Sequence, residues 1–66
     1  MRVTVNGQPM ELPDDLTVDG LLEQLRVRRE YMAVAVNREV LARSTHAETR
    51  LHDGDRIEIV RPMGGG

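Results

Sequence analysis

The chain contains no cysteine, no lysine, no phenylalanine and no tryptophan, and Tyr31 is its only aromatic residue. Without cysteine there is neither a disulfide scaffold nor a thiolate zinc site, a composition that suits a reducing compartment. Without aromatics there is no platform on which nucleic-acid bases could stack. Basic excess is missing too: 11 Asp and Glu stand against 9 basic residues, all of them arginine. Arg26, Arg28 and Arg29 cluster locally, but Glu23 and Glu30 flank them, so a solvated surface is expected and nucleic acid is not an expected partner. The lack of lysine leaves only the amino terminus as an acceptor for an isopeptide branch. No apolar run approaches the length of a membrane span, and the first residues lack the basic-then-apolar order of a signal peptide. The expectation is a protein of the cytoplasm with no membrane partner.

Sixty-six residues make one domain, near the lower limit for a core that folds without staples. Asn6-Gly7 is a strong two-residue turn signal, because both central positions of a type I′ turn need positive φ. Closing it pairs Val5 with Gln8, Val3 with Met10 and Arg2 with Glu11. Pro9 lacks an N–H donor, so the second strand belongs at a sheet edge. Thr17 is a good N-cap for a helix over 17–26, with Leu16 placed to staple against Leu21. Val18, Leu21, Leu22 and Leu25 form one apolar stripe on it, and Arg26 suits the negative end of its dipole. Gly20 costs this helix roughly 1 kcal/mol relative to alanine, which suggests close packing there.

Met32 to Val36 is a compact apolar strand with Val34 and Val36 facing the helix. Asn37-Arg38-Glu39 turns into a brief strand at Val40-Leu41. Thr45 and Glu48 have capping-box spacing within a helical turn over 44–50. Asp53-Gly54-Asp55 is a tight turn into the strand Arg56–Arg61, where Ile57 and Ile59 share a face, and Pro62 stops the ladder. The helix, with one apolar side, must cover one face of a mixed sheet. The last strand is placed beside the first, parallel to it, in the sheet centre. This order predicts an α+β chain of β-grasp type, with about four to five strands packed on one helix. It divides into a domain over 1–61 and a flexible reactive tail over 62–66.

The tail ends in Gly64-Gly65-Gly66. Glycine lacks a Cβ, so such a thread can enter a narrow channel and approach another backbone closely. Five residues beyond Arg61 reach at most roughly 17 Å. The competing reading is a frayed end with no chemical role.

These stretches carry a resemblance: Val5-Asn6-Gly7, Thr17-Val18, Leu21 to Leu25, Ala33 to Asn37, Asp53 to Ile59, and the closing diglycine. Together they resemble the ThiS family, ubiquitin-like β-grasp proteins that carry sulfur in thiamine (thiazole) biosynthesis. The likeness covers nearly the whole chain; a third glycine, Gly64, departs from the usual pair and should only loosen the thread. It implies adenylation of the Gly66 carboxylate by an E1-like (ThiF-like) enzyme that uses ATP. Conversion to a thiocarboxylate would follow, with sulfur from a donor such as a cysteine desulfurase, and then delivery to a thiazole synthase (ThiG-like). Gly65 and Gly64 would give the tail its clearance. The resemblance also admits a carrier for molybdopterin synthesis or tRNA thiolation, and the β-grasp pattern alone admits an interaction module with an inert tail.

Other residues offer less. His46 and His52, near Asp53 and Asp55, could suggest metal ligands, but an ordinary turn explains them and no metal is expected. No paired acid, activated nucleophile or phosphate loop appears, so a carrier rather than an enzyme is expected. The sheet face away from the helix would carry Thr4, Ala35, Glu58 and Val60 and run toward Met63. Val60 and Met63 are the candidate partner-binding residues.

Overall fold

A computed structural model describes residues 1–27 and 32–61. Strand β1 (Arg2–Val5) and strand β2 (Gln8–Glu11) form the expected hairpin, in the register Arg2 with Glu11, Val3 with Met10 and Val5 with Gln8. Asn6 at φ 52° and Gly7 at φ 83° make the turn. Leu12 N–H donates to the Met1 carbonyl at 2.8 Å. Because antiparallel pairing alternates, Met10 and Gln8 also face β1, and Pro9 occupies a position whose missing N–H would have pointed outward. The proline thus costs no ladder bond and blunts an open edge.

Helix α1 (Val18–Leu25) starts where Thr17 caps it, its Oγ1 accepting from Gly20 N–H at 3.1 Å. The other two N–H groups of the first turn are bonded at long range: Val18 donates to Thr49 O and Asp19 to His46 O. All three donors that α1 itself leaves free are therefore satisfied. A Cβ built on Gly20 would stand 2.6 Å from Leu16 Cδ1, so Leu16 occupies the space a larger residue would need. That is the close packing expected of Gly20.

Arg26 ends the helix in the left-handed region, at φ 58°. Its N–H bonds to Glu23 O, and the Val27 N–H reaches back to Leu22 O. This is a Schellman closure, with arginine where glycine is usual.

Strand β3 (Ala33–Val36) is joined to strand β4 (Glu39–Val40) by a second two-residue left-handed turn, Asn37 at φ 52° and Arg38 at φ 71°. Glu39 pairs with Val36, so this strand starts one residue earlier than expected. The link that follows contains a 3₁₀ turn (Arg43–Thr45). Its expected capping box does not form. Thr45 Oγ1 donates back to Ala42 O at 2.7 Å, and Glu48 N–H donates to the Thr45 carbonyl instead. The link is nevertheless held: Leu51 N–H donates to Leu16 O at 2.8 Å, and Leu51 and His46 are each 2% exposed.

Strand β5 (Arg56–Val60) lies at the sheet centre, parallel to β1 and antiparallel to β3, in the order β2-β1-β5-β3-β4. This is the β-grasp arrangement. Val3, Val5, Val34, Ile57 and Ile59 of the sheet meet Val18, Leu21 and Leu22 of α1, with Leu12 and Leu51 closing the sides. In a domain this small, truncating one such leucine to alanine removes about 2–5 kcal/mol of a total near the low end of the usual range.

Candidate functional site

The residues expected to act lie at the end of β5 and beyond it. Ile57 and Ile59 point into the core, which turns Arg56, Glu58 and Val60 outward. Along β3 the pairing runs to the last strand residue, Val60 opposite Ala33. Arg61 follows, exposed. Met63, Gly64, Gly65 and Gly66 lie outside the described residues, as do Arg28, Arg29 and Tyr31.

Beside that strand end the outer sheet face forms a shallow depression of about 190 Å³, lined by Ala33, Val34, Ala35, Val40, Glu58 and Val60. Val40 and Val60, 73% and 56% exposed, are the large apolar side chains most exposed to solvent among the described residues. Of the four residues expected on this face, Ala35, Glu58 and Val60 come together. Thr4 is on the same outer face, paired with Arg56, but it lines a separate hollow with Arg2, Val3, Pro9, Asp53 and Gly54. Val40 was not foreseen. Its signal is the pairing with Ala35, which by strand parity places both on one face.

Of the polar residues weighed as ligands, Asp53 and Asp55 have structural employment. Asp53 Oδ1 accepts from Arg2 N–H at 2.7 Å, and Asp55 accepts from His52 N–H and from Asn37 Nδ2. His52 Nδ1 stands 3.9 Å from Asp55 Oδ2 at an exposed position. His46 is buried, and neither ring nitrogen has a hydrogen-bond partner among the described residues. No group of three or more His, Asp or Glu side chains converges among them. No described helix is long and apolar enough to cross a membrane. What the geometry offers is a central strand, paired with β1 and β3, whose end lies beside a small apolar face.

Residues 3–66 match the family model described as the ThiS family. The chain is 35% identical to the sulfur carrier protein ThiS of Escherichia coli, over all of both chains. It is 36% identical to a thiazole synthase of Paramagnetospirillum magneticum, of which it spans only 20%; a second thiazole synthase, from Magnetococcus marinus, is matched over the same fraction. In three dimensions it is similar to the crystal structure of the thiamine biosynthesis protein ThiS of Geobacter metallireducens. That match has a TM-score of 0.90 and 42% identity, with both chains fully covered.

Proposed function

The chain belongs to the ThiS family, and we propose that it is a sulfur carrier of thiamine biosynthesis whose Gly66 carboxylate is the group that is charged. The supporting observation is the end-to-end match to a sulfur carrier, including the glycine tail, on a scaffold whose last strand is central and paired on both flanks. Residues 1–61 are the scaffold and 62–66 the reactive tail.

The chemistry explains the tail. A carboxylate is anionic and a poor electrophile, so a sulfur nucleophile cannot expel its oxygen. Attack of a Gly66 carboxylate oxygen on the α-phosphorus of ATP forms a C–O–P link and releases pyrophosphate. The donor's persulfide then attacks the carbonyl carbon and AMP leaves with the bonding pair; a thiol cleaves the resulting acyl disulfide, ending as a disulfide itself. The product is a thiocarboxylate, ionised near neutral pH and itself a sulfur nucleophile. An E1-like, ThiF-like enzyme supplies the adenylation site, and a donor such as a cysteine desulfurase supplies the sulfur. A ThiG-like thiazole synthase consumes the thiocarboxylate.

None of these steps needs a base or metal from this chain, which acts in the cytoplasm as a co-substrate. Gly65 and Gly64 keep the thread slim enough for the partner's channel. The apolar face of Ala33, Ala35, Val40 and Val60 is the docking surface that brings the tail to that channel, and Met63, outside the described residues, is a further partner contact. The presence of similar sequence within thiazole synthases favours the thiamine pathway over molybdopterin synthesis or tRNA thiolation.

The test is genetic. In cells that depend on this chain for thiamine, deleting Gly65 and Gly66 is expected to abolish growth without the vitamin, while thiamine restores it. Unimpaired growth of the truncated strain would overturn the assignment.

A further inference from the structure

On the reading above, the point at which the tail leaves the domain matters, and Asn6 bears on it. The β1 side of β5 is only partly covered by strand. Asn6 N–H donates to Ile57 O at 2.9 Å, and there the backbone of β1 turns away at Asn6-Gly7. Strand β5 continues for three residues more. In its ladder with β3, Val60 is opposite Ala33 and Glu58 opposite Ala35. The backbone groups of Ile57 and Ile59 point the other way, toward β1. Ile59 would therefore face a gap.

The Asn6 side chain fills that gap. Its Oδ1 accepts from Ile59 N–H at 2.8 Å, and its Nδ2 donates to Ile59 O at 3.1 Å. One planar amide takes the place of the peptide group the missing strand would have offered. We infer that Asn6 is a positioning residue for the reactive tail: through its paired bonds to Ile59 it fixes the exit end of β5, and hence the point from which the glycine thread is presented.

Glycine would also meet the positive φ of this turn, so what asparagine adds beyond the turn is its pair of bonds to Ile59. The other hairpin supplies an internal control. Asn37 opens an equivalent left-handed turn, and its Oδ1 accepts from Arg56 N–H at 3.0 Å while its own N–H donates to Arg56 O. It grips β5 in a similar way, but at the entry end. Beyond Ile59, the remaining strand bonds among the described residues run through Val60 to β3, and Pro62 has no N–H to donate. With Asn6 gone, the exit end is held from one side alone.

The experiment compares Asn6→Gly with Asn37→Gly, both of which keep the turns open to positive φ. Two readouts are taken on the full chain. One is amide hydrogen exchange; the other is the kinetics of adenylation by the ThiF-like enzyme at saturating ATP, normalised to folded protein. For Asn6→Gly, exchange at Ile59 should quicken about tenfold, as loss of its acceptor implies. Its kcat should fall about tenfold with little change in KM, because the thread is mispositioned after docking.

Asn37→Gly should quicken exchange at Arg56 yet keep kcat within about twofold of the parent, as for substitutions remote from the site. Unchanged exchange at Ile59, or equal loss of kcat in the two variants, would overturn the inference. If the parent chain itself is not adenylated, the proposed function fails and the kinetic role falls with it. The exchange result then still decides whether Asn6 holds the strand.

Discussion

Gly65→Val is expected to fold as the parent does and to lose adenylation by about a hundredfold or more. The position follows the last described strand in sequence, and glycine has no side chain whose packing could be lost. What it adds is a branched Cβ on a thread that must pass a channel shaped for bare backbone. β-branching restricts the backbone as well as widening it. The reacting carboxylate must sit within a few tenths of an ångström of its productive place, and a displacement of about 1 Å costs on the order of a hundredfold. Thermal unfolding should be unchanged, and pyrophosphate release with the ThiF-like enzyme and ATP should be nearly lost. Normal adenylation of this variant would remove the clearance role of Gly65.

Val60→Asp is expected to weaken partner binding by about 30-fold or more, the cost of losing a central contact worth about 2 kcal/mol. Val60 is 56% exposed and stands with Val40 on the outer face, so a carboxylate there is solvated in the free domain and costs the fold little. In a complex the same carboxylate would be taken from water into an apolar contact without a partner charge. Glu58 already occupies this face, and a second negative charge beside it adds repulsion. Titration calorimetry of the variant against the adenylating enzyme and against thiazole synthase reads the effect. Unchanged affinity for both would move the docking surface elsewhere.

The parts of the fold legible in the sequence were those set by local chemistry. Asn6-Gly7 dictates a turn type, that turn dictates the register, and Pro9 dictates an edge; together they leave the centre of the sheet to β5. The β3–β4 turn was harder to bound because Arg38, without a glycine signal, takes φ 71°. Of the link over 42–52 only a helical turn was legible, and a 3₁₀ turn forms at Arg43–Thr45; what holds the segment in place was not. Its order comes from bonds to the start of α1 through Thr49 O, His46 O and Leu16, and distant partners leave no mark on local pattern. His46, expected in an ordinary turn, is buried for the same reason.

The site divided likewise. The tail is visible in the sequence as a run of glycine, but it takes the resemblance of the rest of the chain to give that run a chemical role. The face beside it depends on strand parity. A one-residue error in β4 hid Val40, whereas Thr4 lies on the expected outer face but across the central strand from Val60, at a separate hollow. Asn6 was read as a turn residue only. Its bonds to Ile59 depend on where β1 ends relative to β5, which only the folded chain reveals.

The most direct measurement is the intact mass of the chain after incubation with ATP, the ThiF-like enzyme and a sulfur donor. One terminal oxygen replaced by sulfur, with the change localised to Gly66 by fragmentation and absent when ATP is withheld, is the predicted result. A mass that never changes, with a competent enzyme that charges a known ThiS protein in parallel, would contradict it.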